Sequence, residues 1–313
     1  MRIQVSFAGS HQRASFWWCL GLIAIWHSPV SGAPPKIWEE FSGEHALKHV
    51  QRLVDLGPRA PASEAIEKSR VYIEKQLAEC GWSVTRQAFT DDTPRGKVGF
   101  VNLIAQFHTR EAKPGAPPPS FLLCSHYDTK SFETIRFVGA NDGGSSTGLL
   151  LELARVLAQD SSLAAKLELV FFDGEEAFEN FSATDGIYGS RYFAKKLAQD
   201  KLAKQFRGGI LFDMVGDRSL SITLPPDSPP QIAHDIFAAA EALQLRNYFT
   251  YFDRTITDDH TPLNQIGIPT IDVIDFDFDW WHTAEDTMDK LSAESLGKVG
   301  RVAVYYLSEF GLK

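Results

Sequence analysis

Phe121-Leu-Leu-Cys-Ser-His126 and Leu167-Glu-Leu-Val-Phe-Phe-Asp173 are short apolar runs that each end on a polar side chain. Runs of this length and composition, rich in Leu, Val and Phe, read as strands buried on both faces. The polar residues just beyond them therefore emerge at the edge where open α/β sheets place their sites. Working outward, strand and helix alternate: a helix over 145–159, one over 188–199 and a strand over 209–214. A helix over 232–243, a strand over 270–274 and a closing helix over 292–312 follow. Such alternation implies strands running largely parallel and covered by helices. The expected fold is an α/β, single-domain three-layer sandwich with a mixed, largely parallel central sheet flanked by helices.

Towards the N-terminus, residues 44–56 place apolar side chains at helical spacing, and Gly57-Pro-Arg-Ala-Pro61 stops them. A second helix is expected over 63–80, then strands over 83–89 and 98–107 joined through Thr90-Asp-Asp-Thr-Pro-Arg-Gly96, whose Asp, Pro and Gly are turn residues. Residues 111–119 are expected to be a Pro-rich surface loop. No internal repeat or low-complexity linker divides the chain, so residues 35–313 are expected to be one catalytic domain.

Ahead of it, Arg2 and Arg13, an apolar stretch over 14–26 and the small residues of Val30-Ser-Gly-Ala33 read as a signal peptide over 1–33. The apolar stretch is shorter than the ~20 residues that cross a bilayer, so no stable membrane span is expected after its removal. The expected location is exported, secreted or periplasmic. Among 313 residues, 23% are charged and the formal net charge is −9, without Lys/Arg-rich blocks. That excludes nucleic acid as a partner, since phosphate binding needs clustered positive charge; a cationic peptide amine suits better. Cys80 and Cys124, left after the leader is removed, make no disulfide framework and read as small buried hydrophobes.

Carboxylates and imidazoles gather at the ends of the apolar runs. His126-Tyr-Asp128 puts alternate residues on one side of an extended segment, so Asp128 is placed to orient His126. Asp142, in Gly139-Ala-Asn-Asp-Gly-Gly144, reads either as a metal ligand or as part of a helix cap, where Asp, Ser and Gly are favoured anyway. In Phe171-Phe-Asp-Gly-Glu-Glu-Ala-Phe178 two adjacent carboxylates repel one another unless a cation joins them; one can bind metal while the other handles protons. Asp213 has the same strand-end placement. Asp258-Asp-His260 and Trp280-Trp-His282 complete the set, with an aromatic wall beside the last imidazole. Carboxylates mixed with imidazole suit Zn²⁺. Asp275, Asp277 and Asp279 alternate with aromatics, as a segment with one solvated face would.

Ser125-His-Tyr-Asp-Thr-Lys130, Phe171-Phe-Asp-Gly-Glu-Glu-Ala-Phe178, Tyr188-Gly-Ser-Arg191, Asp258-Asp-His-Thr-Pro262 and Trp281-His-Thr283 occur in the order of a known family. From residue 44 to the C-terminus the chain resembles the glutaminyl-peptide cyclotransferases (glutaminyl cyclases) of animals and related bacteria, which share their fold with zinc-dependent aminopeptidases. The H-x-D, Glu-Glu and strand-end Asp features belong to both groups; Tyr-Gly-Ser-Arg, Asp-Asp-His-x-Pro and the Trp before the last His lean to the cyclases. The resemblance implies Asp142, Glu176 and His282 as zinc ligands and Glu175 as acid/base. It implies Asp213 and Asp258 as hydrogen-bond partners of Glu175, and Trp281 as the pocket wall. Phe181, standing where animal members carry Trp, and His126 are the remaining substrate-binding candidates. Ser125 replaces the family's cysteine there, so the disulfide of many relatives is not expected.

The activity implied is conversion of an N-terminal Gln of a peptide or protein to pyroglutamate with release of ammonia, zinc polarising the amide carbonyl. Its expected cofactor is one Zn²⁺ per chain. The alternative is an aminopeptidase with two Zn²⁺, His126 and Asp213 joining Asp142 around the second. A third reading, a secreted binding module with a dead site, conflicts with the complete set of polar residues. Oligomeric state is not legible in the sequence.

Overall fold

In the computed structural model, which describes residues 1–6, 8–9, 36–108 and 118–313, the two apolar runs are neighbouring strands at the centre of a sheet. The chain divides into two units, Met1–Pro35 and Lys36–Lys313; the described residues of the first are exposed and carry no regular structure. Most of the expected leader lies outside the described residues, as does most of the expected Pro-rich loop.

Helices α1 (Gly43–Asp55) and α2 (Glu64–Glu79) start on Ser42 and Ser63, whose hydroxyls accept the His45 and Ile66 N–H groups. Next comes a hairpin, β1 (Trp82–Thr93) and β2 (Gly96–Phe107), then β3 (Phe121–His126), α3 (Gly144–Leu157), the single turn α4 (Ser161–Ala164) and β4 (Leu167–Phe172). The remainder is α5 (Tyr188–Gln199), β5 (Gly208–Asp213), β6 (Ile222–Leu224), α6 (Pro230–Ala242), β7 (Phe249–Tyr251), α7 (His260–Gln265), β8 (Thr270–Ile274) and α8 (Ala293–Tyr306). No helix among the described residues is long and apolar enough to cross a membrane.

The six-stranded sheet has the order β1-β2-β4-β3-β5-β8. β4, β3, β5 and β8 are parallel, and β2 runs antiparallel to both its neighbours. Alternate side chains of the central strands face opposite layers. Leu123, Leu169, Ile210 and Val273 pack with residues of α1, α2, α3, α6 and α8. Leu122, Cys124, Val170, Phe172 and Leu211 pack with Phe193 and Leu197 of α5 and Leu263 of α7. This is the mixed three-layer sandwich expected. From β3 the chain leaves to β4 on one side and later to β5 on the other, so β3 lies at a topological switch point, where such sheets bind ligands beyond the carboxyl ends of their strands.

Three readings need correction. The segment read as a turn over 90–96 belongs mostly to the hairpin: Asp91 and Asp92 pair with Val98 and Lys97, and only two residues, Pro94 and Arg95, connect the strands. The pairing of two exposed polar strands outweighs the turn preference of single residues. The closing helix ends as α-helix at Tyr306 and opens to a π-turn over Leu307–Gly311. Of the alternating acids, Asp277 and Asp279 are exposed, but Asp275 is buried and accepts the Ser221 N–H at 2.8 Å. Cys80 and Cys124 are both unpaired by disulfide.

Candidate active site

Parallel pairing brings the ends of β3, β4 and β5 to one edge of the sheet, and with them His126, the Glu175-Glu176 turn and Asp213. Asp142 enters from the loop before α3. That helix is capped by Gly143 without a side-chain hydrogen bond, so the Asp142 carboxylate is free for the site and the capping reading falls. His282 comes from the loop after β8.

Asp142 lies between the two imidazoles. Its Oδ1 is 3.3 Å from His126 Nε2, and its Oδ2 is 3.4 Å from His282 Nε2. Glu176 Oε2 is 3.2 Å from the same His282 nitrogen. His126 Nε2 is also 3.1 Å from Asp213 Oδ1. Two triples of ligand-type atoms result, Asp142–Glu176–His282 and His126–Asp142–Asp213, sharing Asp142.

Backbone clamps hold this arrangement. Asp128 accepts the N–H groups of Glu175 and Glu176 at 3.1 and 3.3 Å, fixing the acidic turn, while its Oδ1 stands 3.5 Å from His126 Nδ1. Asp286 accepts Asn141 N–H at 2.7 Å and Asp142 N–H at 3.1 Å, tying the loop of His282 to that of Asp142. Fully buried Arg59 donates to the carbonyls of Tyr127, Val138 and Gly139, bracing both ends of the connection from β3 to α3 that carries Asp142. Gly143 has φ +78°, and a Cβ there would sit 2.5 Å from Asp128 O and 3.0 Å from His126 Cε1, so only glycine lets the loop pass this close to the imidazole. His282 itself has φ +58° and Met214, next to Asp213, φ +46°; strained backbone of this kind concentrates at functional sites.

Glu175 and Glu176 are buried rather than forming a solvated acidic turn. Burial, with the Asp142 charge adding to it, pushes Glu176 up to about 7 against the pull of His282. For His282 burial disfavours the charged ring, but Asp142 and Glu176 raise it to about 10. Burial also opposes ionisation of Asp142, yet the two imidazoles hold it below the usual carboxylate range. Glu175 is raised well above that range by burial and then by Asp258. Asp258 is raised likewise by burial, Asp213 and Asp259. A cation is the physical remedy for such crowding. Asp142 Oδ2 and Glu176 Oε2 are buried and lack a hydrogen-bond partner, and with His282 Nε2 they form an O,O,N donor set of the kind Zn²⁺ takes. The residues fit the metal.

A cleft of about 270 Å³ opens over this centre, lined by all three of those residues together with Glu175, Asp213 and Asp258. Its walls are Trp281, Phe181, Phe252, Phe276 and Ile256. Neither Trp280 nor Trp281 is core: Trp281 stacks on the His282 ring at 4.1 Å and Trp280 lies under Lys290. His126 was expected at the substrate wall, but it is 1% exposed and absent from the lining; Asp142 and Asp213 screen it from the cleft. Phe252, Phe276, Lys130 and Asp286 were not singled out. Lys130 Nζ is 3.8 Å from Glu176 Oε2 and donates to Ala177 O at 2.6 Å. Its place in Ser125-His-Tyr-Asp-Thr-Lys130 was the signal that could have found it.

Parallel strands that deliver buried carboxylates and imidazoles to a switch point define an α/β protein with a metal-type centre. The description "Peptidase family M28" matches residues 102–307. The glutaminyl-peptide cyclotransferase of Boiga dendrophila is 30% identical, over 82% of this chain and 78% of that protein. A solved glutaminyl cyclase from an Acidobacteriales bacterium is 32% identical, with a TM-score of 0.78, over 90% of this chain and 97% of its own. A Zn-dependent exopeptidase from Parabacteroides distasonis, 26% identical with a TM-score of 0.77, matches over 86% of this chain and 99% of its own. The chain belongs to peptidase family M28, among its glutaminyl-peptide cyclotransferases.

Proposed function

We propose that this protein converts the N-terminal glutaminyl residue of a peptide or protein to a pyroglutamyl residue and releases ammonia. The observation that carries the reading is the single cleft in which the Asp142–Glu176–His282 triple, Glu175 and Asp258 meet under an aromatic wall. Its names among relatives support it.

Asp142, Glu176 and His282 would hold one Zn²⁺, whose contribution when bound is Lewis-acid polarisation of the side-chain amide carbonyl. The cleft holds the substrate's α-amine close to its own side chain, turning the reaction into an intramolecular one. Glu175 takes a proton from the α-amine as its nitrogen bonds to the side-chain carbonyl carbon. It then gives that proton to the amide nitrogen as the carbon–nitrogen bond breaks and ammonia leaves. Burial and Asp258 make Glu175 hold a proton readily, which the second transfer requires. Asp213, expected as a hydrogen-bond partner of Glu175, is bonded instead to His126, whose Nε2 it shares with Asp142, so it acts by fixing the imidazole beside that carboxylate. Trp281 and Phe181 exclude water from the cyclising end.

One observation favours a second reading, an aminopeptidase with two Zn²⁺: Asp142 turns one oxygen to each imidazole, as a carboxylate shared between two ions would. The test joins product and metal. One zinc per chain, ammonia from a Gln-initiated peptide and no leucine from a Leu-initiated one are expected. Two zincs with leucine release would establish the aminopeptidase.

The proposal includes export after cleavage near Ala33 of a leader over 1–33, leaving a catalytic domain over 35–313. N-terminal sequencing of the mature protein is expected to start close to Pro34; retention of Met1 would refute cleavage.

A further inference from the structure

Tyr188-Gly-Ser-Arg191 is the motif that the chemistry above leaves unused. It opens α5, and Gly189 is required there because a Cβ would meet Asn102 Oδ1 at 2.4 Å and Asp173 O at 2.6 Å. Arg191 does something else. It lines a second cleft of about 580 Å³ that adjoins the catalytic one, the two sharing Phe181 and Thr257. Thr261, Pro262 and Gln265 form its other side, and among the described residues no carboxylate lines it.

Arg191 lies over the Tyr188 ring at 4.8 Å and spends one donor on Ala183 O. Among the described residues it makes no ion pair, so its remaining donors are not committed to a carboxylate of the protein. A guanidinium has five N–H donors in a planar fork shaped for a carboxylate. The adjoining cleft is richer in acids: Asp142, Glu175, Glu176, Asp213 and Asp258 line it and favour the substrate's cationic amine, while Arg254, which also lines it, is paired with Asp253. A ligand spanning both clefts is thus sorted by charge along its length.

We propose that the second cleft receives the residues that follow the N-terminal glutamine, and that Arg191 binds a carboxylate carried there. The inference rests on the cyclisation reading and names its substrate class: short peptides or protein N-termini with an anionic group a few residues from the glutamine. An acidic side chain and the free C-terminal carboxylate of a short peptide offer the same chemistry, so the experiment separates them.

The initial test compares kcat/KM of the wild-type holoenzyme for Gln-Ala-Ala amide, Gln-Ala-Ala free acid, Gln-Glu-Ala amide and Gln-Ala-Glu amide, with glutaminamide as the substrate that cannot reach the second cleft. At least one anionic peptide is expected to exceed the neutral amide by about five- to tenfold, the order of one charge-assisted contact at a partly open site. Which peptide leads tells side chain from terminus. The advantage should shrink as salt rises. Arg191→Gln, which keeps a donor for Ala183 O but loses the charge, is expected to abolish the preference. Equal rates for all four peptides in the wild type, or a preference that survives Arg191→Gln, would overturn the proposal. So would an equal fall for neutral and anionic peptides, which would make Arg191 a brace for the loop of Phe181. The wild-type comparison stands even if the variant does not fold. If glutaminamide and all four peptides fail to yield ammonia, the cyclisation reading fails instead.

Discussion

Glu175→Gln is expected to lower turnover on a Gln-initiated peptide by about 10² or more, the cost of losing a general acid/base, while zinc content stays at the wild-type level. Glu175 stands beside Glu176 yet is outside the ligand triple. Its backbone is held independently of its carboxylate: its N–H donates to Asp128 and its carbonyl accepts Ile187 N–H at 2.7 Å. Gln has the same shape and remains a hydrogen-bonding side chain, so packing survives and only proton transfer is lost. The fall should appear in kcat, because the α-amine can still occupy the cleft. Turnover within a few-fold of wild type would remove Glu175 from the mechanism, and loss of zinc would make it a ligand.

His282→Ala is expected to lower zinc affinity by more than the roughly 10–100-fold typical of losing a partner one layer out, and activity with it. The imidazole is the one nitrogen donor of the Asp142–Glu176–His282 triple. Without it the two carboxylates keep only His126, 3.3 Å from Asp142 Oδ1, and Lys130, whose Nζ is 3.8 Å from Glu176, as cationic partners among the described residues. Stripping the wild type with a chelator should silence it reversibly, and added Zn²⁺ should restore the wild type but not His282→Ala. Unchanged zinc content by elemental analysis would exclude His282 as a ligand. The stacked Trp281 ring gives a control. Trp281→Ala should raise KM by loss of the wall while zinc content holds, a separation that simple unfolding of the loop does not give.

Much of this protein is written locally. The apolar runs ending at His126 and before Asp173, and the helical spacing between them, are enough to require parallel strands with helices across them, because burial on both faces leaves no other use for such runs. Placement of His126, Glu175, Glu176 and Asp213 at the sheet's edge follows from the same runs, since each stands at or just past a strand end. Local pattern fails where pairing decides. β1 continues through Asp91 and Asp92 because β2 lies opposite, and the short β6 and β7 exist only as partners of one another.

The division of labour among the acids was decided by tertiary structure alone. Asp142 serves two imidazoles instead of capping α3. Asp286 and Asp128 spend their carboxylates on backbone N–H groups of residues 144 and 47 positions away. His126 falls behind the cleft wall. An aspartate carries no mark in sequence of which donor will face it; that depends on ångström-scale distances between loops that only the folded sheet brings together. Sequence therefore determined which residue types gather at the strand ends, by hydrophobic periodicity. Only the packed loops decided which of them face the cleft, which come together as a metal-type donor set and which hold the others in place, because hydrogen bonds and ion pairs act over 3–4 Å.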